Sequence, residues 1–149
     1  MTTPTSPDPF GRGLLLDDGD LVFGGRDLAE VTGLANLVQA LTLRVLTPFG
    51  SDRFNPGYGL DVRSAFTTAN SARMVKELLK LNLVGTLGAD PRVSEVRQVT
   101  FDDDPGRLAA GPDAAARART AQIRRAWSVE ADLDTVAGVP VTLLVNVEV

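Results

Sequence analysis

The alternation of apolar and polar residues at the end of the chain constrains the fold more than any other feature of the sequence. Residues 139–149 place one apolar set on a single face: Val139, Val141, Leu143, Val145, Val147 and Val149. Residues 121–133 repeat the pattern, and only Arg125 interrupts the apolar face. Because side chains of a strand alternate between two faces, this predicts two half-buried antiparallel strands. The link at 135–138 is short enough for a hairpin.

Two segments with helical periodicity precede these strands. Residues 32–46 predict a helix with Thr32 as its N-cap, and Pro48 ends it by disfavouring helical angles in the residue before it. Residues 71–87 predict a second helix, with Gly88 in the left-handed position just past its end. The stripe of the first helix expected to face the core consists of Leu34, Leu37, Val38, Leu41 and Val45.

The predicted architecture is α+β, with two helices packed on a small, mainly antiparallel sheet. Residues 93–101 supply a further strand, in which broken alternation allows a bulge. Short extended pieces are expected from residue 14 to residue 23. Residues 1–13 contain three prolines and predict a flexible arm before a single domain over 14–149, with a loop insertion at 102–120. No internal repeat is visible.

Composition excludes several classes of chemistry. The chain contains no Cys and no His, which excludes disulfides, Cys-based zinc sites and His-dependent catalysis. The formal net charge of −4 argues against a nucleic-acid partner. No apolar run approaches the roughly 20 residues of a membrane span, and the first residues lack the pattern of a signal peptide. We therefore expect a cytoplasmic protein with no membrane insertion.

A tripeptide, Asp90-Pro91-Arg92, connects the second helix to the strand at 93–101. Proline ends the helix and fixes the entry into the strand, so that the acid and the guanidinium stand on either side of a rigid turn. The planar guanidinium suits a carboxylate or several carbonyls of another chain. The alternative is an intramolecular pair that ties the helix to the strand, and the tripeptide alone favours that alternative.

The loop at 49–59 is rich in turn residues. The Asn55-Pro56-Gly57 run favours a turn, and Gly59 permits a positive φ. Tyr58 is the only tyrosine, and we expect it to pack across the loop. The loop lacks the Gly-Lys-Ser/Thr ending of a phosphate cradle, which argues against a nucleotide site.

The order of these features resembles the gene-product-25 family of baseplate wedge proteins. That family occurs in contractile phage tails, type VI secretion systems and related injection machines. The resemblance covers residues 20–101 well and the C-terminal hairpin loosely. In the tripeptide the family carries Glu-Pro-Arg, so this chain departs from the pattern at Asp90. The loop residues that match are Gly50, Asn55, Pro56, Tyr58 and Gly59.

The resemblance implies a structural component and not an enzyme, without a cofactor, in a six-fold assembly around a hub and tube. The implied partners are other wedge proteins, the sheath protein and the tube or hub proteins. The implied wedge-core interface is Asp90, Pro91 and Arg92. The implied loop interface is Asn55, Pro56, Tyr58 and Gly59. The strand implied to pair with the sheath carries Val141, Leu143, Val145, Val147 and Val149.

Two other functions are compatible with the sequence. A small protein-binding regulator of the anti-adaptor type shares the fold of the wedge family, and fold alone does not decide function. A lysozyme-like glycosidase needs two carboxyl groups across a sugar-sized cleft, one of them with a raised pKa. The candidates for that role are Asp52, Asp61, Glu77, Asp90 and Glu95. Most of them lie beside basic residues, which favours ionised structural carboxylates.

Overall fold

A computed structural model of the protein describes residues 8–68, 71–104 and 126–148. These residues form short N-terminal strands, then helices, then three longer strands, and the α+β prediction is confirmed. The helices are α1 (Gly33–Leu46), α2 (Val62–Thr68) and α3 (Ala72–Gly88). The short strands are β1 (Arg12–Leu14), β2 (Leu16–Asp17), β3 (Asp20–Leu21), β4 (Phe23–Gly24), β5 (Asp27–Leu28) and β6 (Glu30–Thr32). The longer strands are β7 (Val93–Phe101), β8 (Ala126–Thr135) and β9 (Pro140–Glu148).

The three long strands form one antiparallel sheet in the order β7-β8-β9. The register between β8 and β9 is unbroken from Ala126 opposite Glu148 to Asp134 opposite Pro140. The predicted hairpin is present, and Gly138 adopts a φ of 74° in its turn. The bulge that the sequence allowed in β7 is also present, since its register with β8 shifts twice.

One face of the sheet is covered by helices, with α3 on β7 and α1 on β9. The alternation that defined the strands places every second residue of β8 and β9 in the core, as predicted. The fully buried large side chains are Leu37, Leu41, Leu60, Leu79, Leu83, Leu87, Phe101, Val129, Leu133 and Leu143. Burying apolar side chains of this size stabilises the fold by about 1.5–3 kcal/mol each.

The short strands form three two-stranded antiparallel sheets, β1-β6, β2-β3 and β4-β5, around a ring of hydrogen bonds. The Leu15 amide donates to the Ala29 carbonyl at 2.8 Å, the Val22 amide donates to Leu15 at 3.1 Å, and the Ala29 amide donates to Val22 at 2.8 Å. These residues are seven positions apart, and Asp-Leu precedes both Val22 and Ala29. The prediction of no internal repeat therefore missed a seven-residue structural period. Gln39 of α1 holds these sheets, accepting from Leu16 and donating to Leu14.

The N-terminal boundary differs from the predicted one. Residues 1–7 of the expected flexible arm lie outside the described residues. Phe10, however, is buried in the core, and β1 begins at Arg12. The prolines of residues 1–13 predict a flexible arm, but composition does not show that one apolar residue of the segment, Phe10, is buried. The predicted insertion at 102–120 is described only at 102–104, which form a turn after β7.

Several details of the helices also correct the predictions. Thr32 occupies the N-cap position of α1, but its side chain makes no capping hydrogen bond. Leu34 is predicted in the core but is exposed: it lies in line with Leu41 and Val45 along α1, but in the first turn of the helix, at one end of the buried stripe. Gly88 continues α3 instead of adopting a left-handed conformation, and Ala89 caps the helix with helical angles. At the other end of α3, the Ser71 side chain accepts from the Met74 amide at 3.3 Å.

A third helix, α2, was not predicted. The Asp61 carboxylate caps it by accepting a hydrogen bond from the Ser64 amide at 2.9 Å. Ala65 is its buried residue, and Phe66 packs against Trp127 of β8 with 5.9 Å between ring centroids. At seven residues, α2 is too short to show a helical period in the sequence.

Candidate interaction site

The turn that joins α3 to β7 is built by Asp90, Pro91 and Arg92, which we call the corner. The Val93 amide donates to the Asp90 carbonyl at 3.0 Å, which closes a β-turn with proline in its favoured second position. The Asp90 carboxylate accepts the Arg92 amide at 3.0 Å. This local bond is typical of the short side chains of Asp and Asn, so Asp90 has a structural role where the resembled family carries Glu.

The two charged residues of the corner pair with each other. Arg92 Nε donates to Asp90 Oδ1 at 2.9 Å, and Arg92 Nη2 donates to Asp90 Oδ2 at 2.8 Å. The Asp90 residue is only 5% exposed. Its pKa is lowered, chiefly because the carboxylate accepts these hydrogen bonds from Arg92 and in spite of its burial. The intramolecular pair that the tripeptide alone favoured is therefore present.

The corner also fixes the start of the described chain. Arg92 Nη1 donates to the Phe10 carbonyl at 3.0 Å, and the side-chain Nδ2 of Asn36 donates to the same oxygen at 2.8 Å. One carbonyl thus connects the corner, α1 and the residue that begins the core. The sequence did not decide what pairs with the Asp90 carboxylate; its partner is Arg92 of the same chain.

A second feature is the loop at 48–60, whose ends are closed by a bridge between Pro48 and Leu60. Gly59 adopts a φ of 106°, and a Cβ atom there would lie 2.4 Å from the Thr47 carbonyl oxygen. Only glycine fits this position without strain. The Asp52 carboxylate accepts the amides of Phe54 and Asn55 at 2.8 and 3.2 Å. The loop is therefore held by its own hydrogen bonds while the Phe54 residue is 99% exposed.

Tyr58 lies between the loop and the corner. The Arg44 guanidinium stacks over its ring at 4.6 Å from the centroid. Burial raises the pKa of Tyr58, and the nearby carboxylate of Asp90 adds to this while Arg44 opposes it. The charges of Asp90 and Arg92 both act on this pKa, so Tyr58 lies on the side of the loop that is nearer the corner. Asn55 and Pro56 are exposed on the loop, and Gly59 is buried at its base.

The third feature is the free edge of β9. Within the described residues, β9 pairs with β8 on one side and with no strand on the other. The direction of its backbone groups follows from the hairpin, where the Thr135 amide donates to the Val139 carbonyl at 3.2 Å. Because hydrogen-bonded pairs alternate along an antiparallel ladder, odd-numbered residues of β9 bond to β8. The amides that face the free edge belong to Thr142, Leu144, Asn146 and Glu148.

Two further bonds support this assignment. The Asp102 amide donates to Ser128 and the Val136 amide donates to Arg92, so even-numbered residues in and just after β8 face β7. Pro140, which has no amide hydrogen, then lies at a free-edge position of β9, where proline is tolerated. Among the residues expected to pair with the sheath, Val141, Leu143, Val145 and Val147 have buried side chains and amides directed at β8. Val149 lies outside the described residues.

The two edges of the sheet are not equivalent. The outer strand β7 has register shifts between Val93 and Glu95 and between Val96 and Gln98, and it carries the charged Arg97. Bulges and charges are the features by which proteins prevent an edge from pairing. By contrast, β9 has no register shift along its nine residues. Of the two edges, β9 has the more regular backbone, with Pro140 and Glu148 at its two ends.

The carboxylates considered for hydrolysis have other contacts. Asp52 and Asp61 accept backbone amides, and Asp90 pairs with Arg92. The lowered pKa of Asp90 is opposite to what a general acid requires. Glu77 and Glu95 are exposed. In the described segments, no three acidic side chains gather in a way that would hold a metal ion.

Among the helices that the structure describes, none combines the length and the apolar character needed to cross a bilayer. Comparisons with family models, curated proteins and solved structures return no match for this chain. The features that bear on function are the corner, the loop, the free edge of β9 and the motifs that resemble those of the wedge family.

Proposed function

We propose that this chain is a structural component of the baseplate wedge in a contractile injection system or phage tail. In this proposal, the corner and the loop at 48–60 contact the wedge core. The free edge of β9 seeds sheath assembly by pairing with a strand of the sheath protein. The observation that carries the proposal is the regular edge of β9, with which no other described strand pairs, at the opposite side of the sheet from the bulged edge of β7.

Strand addition uses groups that the edge already presents. Backbone amides and carbonyls at 142, 144, 146 and 148 supply the affinity, and they need no side-chain chemistry. A long, regular edge of this kind promotes aggregation in a protein that works alone. In a protein built into an assembly, the same edge is a template for its neighbour.

The corner retains hydrogen-bonding capacity for a partner. A guanidinium has five N–H donors, and the bonds to Asp90 and Phe10 use one hydrogen on each of the three nitrogens of Arg92. One N–H on Nη1 and one on Nη2 therefore remain for a carboxylate or carbonyl of the wedge core. On the loop, the exposed ring of Phe54 is an aromatic side chain of the type that is enriched in protein interfaces.

Electron microscopy of particles from producing cells tests the proposal. Four strains are compared: wild type, deletion of the chain, Leu144→Pro and Leu144→Thr. Proline removes one free-edge amide of β9, whereas threonine keeps it at the same exposed position. We expect sheathed particles in the wild-type and Leu144→Thr strains, and baseplates or tubes without sheath in the Leu144→Pro strain. Normal sheathed particles in the deletion strain would contradict the proposal and would favour a regulator of the anti-adaptor type.

A further inference from the structure

A pocket of about 810 Å³ lies at the end of β9. Its walls come from the C-terminal end of α1, the base of the loop at 48–60, α2 and the last three described residues of β9. The apolar part of the lining includes Leu46, Phe49, Val62, Phe66 and Val147. Neither the helical periodicity nor the loop motif predicted it, because the pocket forms only when α2 packs beside β9.

The pocket is continuous with the free edge. Val147 faces the core, while Asn146 and Glu148 face the opposite side of the sheet, and all three line the pocket. Consecutive residues of a strand point to opposite faces of the sheet. They can therefore line one cavity only where that cavity reaches the strand backbone. Since β8 covers the other side of β9, the pocket opens along the edge that carries the free amides of Asn146 and Glu148.

The walls of the pocket expose apolar surface to solvent. Leu46 is 56% exposed and Phe49 is 53% exposed, although both stand next to the buried core. The carboxylate of Asp61, which also lines the pocket, accepts the Ser64 amide and so caps α2. Two further charged residues, Arg63 and Glu148, line the pocket and are exposed to solvent. Because most of the remaining lining is apolar, the interior of the pocket favours an apolar group over a charged one.

We propose that this pocket receives a large apolar side chain, aromatic or leucine-sized, from the strand that pairs with β9. The inference rests on the proposed function, because it names the chemistry of the partner strand at the same edge. A strand added beside β9 directs every second side chain toward the helix-covered face of the sheet. Near Val147, such a side chain enters the space between Leu46, Phe49 and Phe66. Backbone pairing then gives the affinity, and the pocket selects the sequence and register.

Binding of synthetic peptides to the ¹⁵N-labelled full chain tests the proposal. The probes are nine-residue peptides of alternating Thr and Val, flanked by Lys, with Phe, Leu, Ala or Asp at the central Val position. Chemical-shift titration gives the affinities, and hydrogen exchange reports protection of the amides at 142, 144, 146 and 148. Because the Phe and Leu peptides bury a larger side chain, we expect them to bind about tenfold more tightly than the Ala peptide, or tighter still.

Two variants of α2 separate the pocket from the edge. Thr67 lines the pocket and is exposed, so Thr67→Trp fills the pocket without disturbing the core. Thr68 is exposed and is not part of the lining, which makes Thr68→Trp the matched control. We expect Thr67→Trp to remove the preference for Phe while retaining the binding of the Ala peptide. Thr68→Trp should behave as the wild type.

The remaining outcomes would overturn the inference. Equal affinity of all peptides, with protected β9 amides, would leave strand pairing intact and remove the role of the pocket. A preference for Phe without protection of β9 would make the pocket a separate site, and absence of binding by every peptide would contradict both proposals. Protection of the β9 amides without peptide, together with a dimer in sedimentation velocity, would assign the edge to a second copy of this chain.

Discussion

Arg92 closes on Asp90 within a single turn, with its Nε and Nη2 atoms 2.9 and 2.8 Å from the two carboxylate oxygens. The same guanidinium holds the Phe10 carbonyl, which lies 82 residues earlier in the chain. A residue expected to contact a partner therefore also maintains the fold. Variants at this position must be tested for stability before a loss of assembly is assigned to a lost interface.

Replacing Arg92 should destabilise the isolated protein. Arg92→Ala leaves the buried Asp90 carboxylate without its charged partner and the Phe10 carbonyl with one donor fewer. We expect the free energy of unfolding to fall by about 2 kcal/mol, measured by urea unfolding. Arg92→Lys should recover only part of the loss, because an ammonium group cannot form the two-point pair. A change below about 0.5 kcal/mol for Arg92→Ala would show that the pair contributes little.

The corner should also make stability depend on pH. The folded-state pKa of Asp90 lies below its ordinary value of 3.8. Its contribution is therefore fully present above that value and is lost as pH falls through the lower folded-state pKa. Asp90→Asn keeps an acceptor for the Arg92 amide but lacks the charge. The difference in unfolding free energy between wild type and Asp90→Asn should be constant near neutral pH and shrink below about pH 4. A difference that stays constant down to pH 2 would contradict this.

Two glycines of the loop should differ in their tolerance of alanine. Gly59 has a φ of 106° and a neighbouring carbonyl in the place of a Cβ, whereas Gly50 has a φ of 76° and open space around it. We expect Gly59→Ala to cost about 3 kcal/mol or more and Gly50→Ala about 1 kcal/mol. Thermal and urea unfolding measure both. Equal costs would show that the close approach at Gly59 relaxes without penalty.

Proline substitutions at adjacent positions of β9 should destabilise the isolated fold to different extents. Leu144→Pro removes an amide that faces the free edge, so the loss of stability should stay near about 1 kcal/mol. Val145→Pro removes a ladder bond to β8 and should cost about 3 kcal/mol or more. Leu144→Thr and Val145→Thr serve as controls for the lost side chains. If Leu144→Pro is the more damaging of the two prolines, the assignment of the free-edge amides is wrong.

The parts of the fold predicted from the sequence are those that local periodicity determines. The alternation in β8 and β9 and the helical stripes of α1 and α3 reflect one buried face each, and the structure has them within a few residues. The short helix α2 and the burial of Phe10 depend on contacts with distant residues. The hydrogen-bonded ring formed by Leu15, Val22 and Ala29 likewise depends on the three small sheets coming together, which no single segment of the sequence determines.

The candidate site was predicted in part. The motif positions at the corner and Tyr58 come together, but the charges of Asp90 and Arg92 satisfy each other within the chain. The direction of the β9 amides required the Thr135–Val139 hydrogen bond, which depends on the turn geometry at Gly138. The pocket beside β9 combines three segments that are distant in sequence, and for that reason no motif predicted it.

A cryo-EM reconstruction of the intact particle, at a resolution that separates β-strands, tests whether β9 pairs with the sheath. We expect this chain in the baseplate, with a fourth strand, from the sheath protein, lying beside β9 and hydrogen-bonded to residues 142–148. A particle in which the β9 edge faces solvent while the sheath attaches elsewhere on this chain would contradict this expectation. A sheathed particle that does not contain the chain would contradict it as well.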